Sequence, residues 1–285
     1  MTESTSRAYG RLARVSDVVR RELAKRPFVR SVGVLAGGTA VGQLVSVLAM
    51  LVLTRIYTAV QFGQLQYYST TLLVVISIAA LRYETAILLP EEDAEAAGVL
   101  CAALLASIVV VTVVGAALWI SRDSNLFRGE RAALRPFILV LPVSALGAST
   151  YQTLTYWAVR KNDFARIAKT RVAQAVAQSG GQLSMGLAGL GLAGLIVGDV
   201  LGRVTGSFEL IRAAWKKSGS LFRALQWRDV RRVAHRYRHF PLVSSWSALV
   251  NSAGLTLPPL LLGAIMARAL WVCSGLWTAL SPCRR

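Results

Sequence analysis

At 285 residues the chain is long enough for two soluble domains, but it is 54% apolar and only 16% charged, against roughly 25% charged residues in a soluble domain. Its net charge of +18 sits in blocks between apolar runs. That suits loops facing anionic lipid and leaves no soluble basic domain, so no nucleic-acid partner is expected.

Cys101, Cys273 and Cys283 form no close pair, so neither a disulfide framework nor a metal spacing is present; no cofactor or metal is expected. Residues 1–30 hold eight Lys/Arg and are expected as a cytoplasmic segment. Within it, 11–26 reads either as a basic amphipathic helix with Leu12, Val15, Val19 and Leu23 on one side or as a disordered tail. No cleavable signal is evident, because the next apolar run is too long for a signal core.

The first predicted span is 31–54. It carries Gly33, Gly37, Gly38, Gly42 and Ser46, small residues that let helices approach closely in lipid, and one strongly polar interior residue, Gln43. A polar turn, 54–63, precedes the second span, 67–89, which Pro90 stops. Each run is long enough to cross a bilayer. Arg82 and Glu84 lie inside the second run, where a charge is costly and normally faces protein or a water-filled cavity. The acids of 91–95 read as a solvated loop, with a partner site as the alternative.

The third span is about 97–120. After the polar loop 121–135, the fourth, about 136–158, has Pro136 at its start, Pro142 as a kink, and a polar patch of Ser149, Thr150, Gln152 and Thr153. A basic loop, 160–171, follows. The stretch 172–202 reads either as one helix or as two helices meeting at Gly189-Leu190-Gly191. With two helices, the same-side segments hold 22 Lys/Arg and the opposite side 5; with one helix the numbers are 13 and 14. The positive-inside rule therefore favours two, over about 167–188 and 191–213.

A basic loop, 214–239, has Trp215, Trp227 and Tyr237 interleaved, as at a membrane interface. The seventh span is 240–266, with Pro258-Pro259 as a break. The character changes over 267–285, whose apolar part is too short to cross alone. The expected fold is an all-α integral membrane protein of about seven transmembrane helices: a six-helix lobe over 31–213 plus the first helix of a second lobe, with the N-terminus cytoplasmic.

The residues Gly38, Gln43, Leu53-Thr54-Arg55-Ile56-Tyr57, Phe62-Gly63, Leu81-Arg82-Tyr83-Glu84, Ala86-Ile87 and Leu89-Pro90 resemble the polysaccharide flippases. These are the O-antigen and exopolysaccharide repeat-unit translocases of the multidrug/oligosaccharidyl-lipid/polysaccharide exporter superfamily. Gly198-Asp199 with Gly202-Arg203, and Tyr237-Arg238-His239-Phe240-Pro241, are similar to that family too, so the resemblance runs from about 31 to 264. It implies a bacterial inner-membrane flippase of undecaprenyl-linked oligosaccharide, with alternating access between two lobes, and, as partners, the lipid-linked oligosaccharide, anionic membrane lipid and other polysaccharide-assembly proteins; the alternatives are a related superfamily transporter of another lipid-linked precursor or drug and a non-transporting single-lobe subunit. The chain departs from the family in its first outer turn, TAVQFG, which lacks the Pro and acid before Phe-Gly. It also departs in having seven spans where the family has 12 to 14. A frameshift or premature stop is the expected account of 267–285, with a half-transporter that pairs with another chain as the alternative.

The candidate substrate-path residues are Arg82, Glu84, Gln43, Arg171, Gln174, Gln178, Gln182, Asp199, Arg203 and Asn251. Arg82 and Glu84, two apart on a continuous helix, are expected to point to different sides and not to pair. Arg82 either faces a lumen and attracts a pyrophosphate-linked lipid, or snorkels to the inner interface, or pairs with an acid on another helix. Asp199 and Arg203, four apart, form either a structural ion pair or a switch site. The 3, 4, 4 spacing of Arg171, Gln174, Gln178 and Gln182 makes one stripe, which either lines a sugar passage or bonds between helices. Asn251 with Ser244 and Ser247 extends such a lining.

Other motifs fail. Gly189-Leu190-Gly191-Leu192-Ala193-Gly194 matches a dinucleotide glycine pattern, but no strand precedes it. His235 and His239 are four apart, but no Glu follows His235. No Ser–His–acid arrangement is present, so no enzyme is expected.

Overall fold

The structure, a computed structural model, describes residues 27–121 and 135–244 and the single positions 247, 250 and 254. The expectations for residues 1–26, for most of the seventh span including Asn251, and for the tail 267–285 lie outside the described residues. Those described form α-helices and a π-turn, with no strand among them.

Helix α1 (Pro27–Ile56) begins at a proline, whose missing N–H costs nothing at a helix start, and ends at Tyr57. The expected ten-residue turn shrinks to Tyr57-Thr58. Helix α2 (Ala59–Ala79) starts at once because Thr58 caps it: its hydroxyl accepts from Gln61 N (3.3 Å) while Gln61 Oε1 accepts from Thr58 N (2.9 Å).

Helix α2 does not continue to residue 89. Leu81 (φ 48°) and Arg82 (φ 60°) adopt left-handed backbone, which ends the right-handed ladder. A four-residue helix, α3 (Tyr83–Ala86), follows. The acids of 91–95, expected as a loop, open helix α4 (Asp93–Ile120), with Asp93 and Glu95 in its first turn, where the helix dipole favours negative charge.

Helix α5 (Val140–Arg160) starts four residues later than expected. Pro142 falls in its first turn, so it removes no intrahelical hydrogen bond and makes no kink; a Cβ on Gly115 would sit 2.8 Å from its ring, so α4 and α5 touch there.

Helices α6 (Phe164–Leu187) and α7 (Leu192–Ala224) form a hairpin turned by Gly189 (φ 76°) and Gly191 (φ 54°), a backbone that glycine adopts without strain. The expected basic loop 214–239 is largely helical: α7 continues past a bend at Ser218, and α8 (Trp227–Arg236) follows. Its basic residues and its buried Val230 and Val233 lie on different faces, a helical period that a count of charges alone conceals. The π-turn Phe240–Ser244 packs near α3.

Glycines set the packing. A Cβ on Gly194, Gly198 or Gly202 of α7 would lie within 3 Å of Met185, Gln182 or Gln178 of α6 respectively, and one on Gly206 would clash with Gln174. The two helices therefore meet along a seam of glycines four residues apart. Gly38 and Gly42 of α1 approach Ala168 and Arg171 O of α6 in the same way.

One end of the molecule holds Tyr57, Gln61 and the 188–191 turn. The other holds the α3–α4 junction, the start of α6 and α8. Among the described residues, two helices are long and apolar enough to cross a membrane by length and composition, Ser31–Ile56 and Asp93–Ile120.

Candidate functional site: a cationic groove beside a broken helix

The surface is unusually apolar, and polar side chains are set among the hydrophobic residues of the interior. Leu44, Leu48 and Leu51 of α1, Val109 and Val113 of α4, and Phe208 of α7 are exposed, whereas Glu84, Ser144, Ser149, Thr153, Thr170, Gln182 and Asp199 are buried. In water each such exposed side chain forgoes about 1.5–3 kcal/mol of burial. An exposed apolar surface of this extent marks a lipid or protein contact.

An open groove of about 550 Å³ runs between α2, α5, α6 and α7. Its wall carries Arg171, Gln174 and Arg203 from the predicted set, joined by Gln152, Tyr151 and Tyr156. Arg171 is exposed and, among the described residues, has no acidic partner. It lies seven residues into α6, roughly 10 Å from that helix's start at 1.5 Å per residue. Tyr151 hydroxyl and Thr170 Oγ1 are 3.2 Å apart, which fixes one aromatic wall.

Arg203 also reaches its own-helix carboxylate. Its Nε donates to Asp199 Oδ2 (2.7 Å) and its Nη2 to Oδ1 (3.1 Å), and Gln178 Nε2 donates to Oδ1 (3.2 Å). This is the structural ion pair of the two readings offered by the sequence, with a third helix-spanning donor added.

The glutamine stripe divides. Gln174 faces the groove and Gln178 serves Asp199, but Gln182 does not line the passage. It is buried in the α6–α7 seam, donates to Leu195 O (3.2 Å), and its own backbone carbonyl accepts from Tyr57 hydroxyl (2.7 Å). The physical reason is the run of α7 glycines, which brings that helix too close for a channel. Gln43 is exposed on α1, away from the groove wall.

Arg82 and Glu84 correct the expectation that they cannot pair. The left-handed turn at 81–82 swings Arg82 round so that Nη1 lies 3.8 Å from Glu84 Oε1. Gln152 Nε2 donates to the same oxygen (3.3 Å), linking the pair to the groove wall. Arg82 Nε and Glu84 Oε2 are buried with no hydrogen-bond partner.

Below the break, Arg160 holds the chain. Its guanidinium donates to Ile87 O (3.3 Å), Pro90 O (2.6 Å) and Glu91 O (3.0 Å), carbonyls left free where α3 ends, and to Asp93 (3.1 Å). The Lys161 hydrogen bond, helped by Arg160, holds the Asp93 carboxyl below its ordinary range against a small opposing effect of burial. Burial alone pushes the Asp163 carboxyl up, but the Lys217 hydrogen bond and the Arg166 and Lys217 charges outweigh it and hold it low.

Gln152, Tyr151, Tyr156 and Arg160 were not predicted as site residues. Gln152 had a signal, the polar patch at 149–153. Arg160 had none, since a basic residue at a helix end is ordinary. Compared with known protein families, curated proteins and solved structures, the chain matches none.

Proposed function

We propose that this chain is a bacterial inner-membrane translocase for undecaprenyl-linked oligosaccharide repeat units in cell-surface polysaccharide biosynthesis. In this reading the helices form a membrane lobe with the N-terminus cytoplasmic. The observation that carries the reading is the groove: Arg171, with no acidic partner among the described residues, and the amides of Gln152 and Gln174 stand beside two tyrosines in an open groove of an apolar-clad body. A guanidinium in low dielectric attracts a phosphate-bearing head group, amides bond sugar hydroxyls without fixing a charge, and tyrosine rings offer a sugar face an apolar contact. The excess of Lys/Arg at the α3–α4, α5–α6 and α8 end supports placing that end in the cytoplasm.

A second reading, a single-lobe subunit that works only against another lobe, is favoured by α1. Gln43 is exposed there, and Gly33 and Gly37 have open space around them. An amide facing hydrocarbon is costly, so this face suits a protein neighbour or a wet cavity better than lipid.

Flipping of a fluorescent lipid-linked sugar in proteoliposomes tests both. Activity of the chain alone that Arg171→Gln lowers at least tenfold supports the first reading. No activity alone, restored by a second lobe, supports the other. No activity under either condition sinks both.

A further inference from the structure

Helix α7 carries an exposed apolar stripe, Leu201, Val204, Phe208, Ile211 and Trp215. Alternating steps of three and four residues put all five on one face. The stripe runs roughly 21 Å along the axis at 1.5 Å per residue, most of the ~30 Å apolar thickness of a bilayer. It ends on a cation. Arg223 Cζ lies 5.9 Å from the Trp215 ring centroid, and Trp215 stacks on Phe222 (6.2 Å). A tryptophan capped by a guanidinium at the end of an apolar face suits a membrane–water boundary.

Helix α8 follows two residues later and is fastened to the body by one side only. Val230 and Val233 are buried, and a Cβ on Gly98 of α4 would lie 3.3 Å from Val233. Arg236 donates to Glu95 (3.0 Å), and Tyr83 hydroxyl donates to Ala234 O (3.0 Å). The outer side carries Arg228, Arg231 and His235, all exposed, at helical steps of three and four. Arg238 joins them, with Nη1 3.1 Å from His235 Nε2. Arg232 and Arg236 are neutralised by Asp229 and Glu95. Among the described residues, Arg228, Arg231 and Arg238 have no acidic partner. Trp227, 68% exposed, opens the same helix.

We propose that α8 is an interfacial helix whose Arg228, Arg231 and Arg238 bind the phosphate groups of anionic phospholipids at this end of the molecule. The guanidinium forks donate to phosphate oxygens. Trp215 and Trp227 occupy the headgroup level, and the α7 stripe meets the acyl chains beyond it. A soluble polyanion such as RNA would meet the arginines but leave the apolar stripe bare in water, so the continuity of the two surfaces favours lipid. The site rests on the membrane reading of the body and is independent of which cargo the groove carries.

The test uses the full chain with no cargo. Detergent phase separation comes first: recovery in the aqueous phase overturns the membrane reading and this surface together, whereas recovery in the detergent phase means that any later failure counts against the surface alone. Native mass spectrometry of the chain titrated with phosphatidylglycerol or phosphatidylcholine then counts bound lipid. Phosphatidylglycerol is expected to bind about tenfold more tightly or better. Arg228→Gln, Arg231→Gln and Arg238→Gln made together should abolish most of that preference. Lysine at the same three positions keeps the charge and should retain most of it, which separates lost charge from lost folding. Equal binding of the two lipids by the unaltered chain overturns the proposal without any variant, as does a preference that the glutamine chain keeps or the lysine chain loses. Displacement of phosphatidylglycerol by an equal concentration of pyrophosphate or of a short RNA assigns the arginines to a soluble anion and overturns the lipid surface.

Discussion

Two acid–arginine pairs lie in the apolar body, and they are built on opposite plans. Asp199 and Arg203 sit one turn apart on a continuous helix, bonded through two nitrogens, with Gln178 adding a third donor. Arg82 and Glu84 sit two residues apart across a break, 3.8 Å from each other, with a buried atom unpartnered on each side chain. The first pair needs nothing from outside and is braced by the glycine seam beneath it. The second is incomplete and strained, and it lies where the chain already departs from helix. The same two residue types therefore make a completed, braced pair where the backbone is regular and an incomplete one where it is not.

The comparison breaks most visibly if the brace is not rigid. Gly198→Val places a Cβ 2.6 Å from the backbone nitrogen of Gln182, and backbone has little room to yield. A loss of about 3 kcal/mol is expected, read as a large drop in the thermal midpoint of the purified chain. A tolerated valine would mean that α6 and α7 do not meet so closely.

Asp199→Asn should cost about 2–3 kcal/mol, because it strands Arg203 in a low-dielectric setting. Glu84→Gln should stay within about 1 kcal/mol, since the amide keeps a partner in Gln152 and removes a half-satisfied charge. Thermal midpoints measured side by side check the ranking, and the reverse order would remove the distinction between a completed and an incomplete pair.

Arg160→Lys sharpens the account of the break. An ammonium cannot reproduce the fork that reaches three carbonyls, so about 1–2 kcal/mol is expected to go. The α3–α4 junction should become more open to proteolysis while α6–α7 stays protected.

The smallest effect is that of acid. Asp93 and Asp163 have folded values held below the ordinary 3.8. Their pairs therefore contribute fully above that value and are lost as pH falls through the lower folded values. The loss should be under about 1 kcal/mol, because water screens the exposed partners. Lys217→Gln should flatten part of that acid limb in a melt across pH.

The helices themselves were legible in the sequence: apolar length, the Gly189-Leu190-Gly191 turn and the distribution of Lys/Arg each follow from local composition. So was the Asp199–Arg203 pair, because a spacing of four on a regular helix is a geometric statement. The first-turn place of Pro142 and the helical 214–236 segment were misread, since helix starts depend on caps and on which face finds a neighbour.

What only the tertiary structure decided is where regularity fails and who supplies the missing partner. The left-handed turn at Leu81-Arg82 carries no glycine to announce it. It depends on packing from α4 and α5 and on Arg160, more than sixty residues downstream, holding the freed carbonyls. Gln182 belongs to the predicted passage stripe, but the close approach of Gly198 on another helix buries it in the seam. Composition determines which segments avoid water. Which polar groups within them remain unsatisfied is decided by the three-dimensional contacts alone.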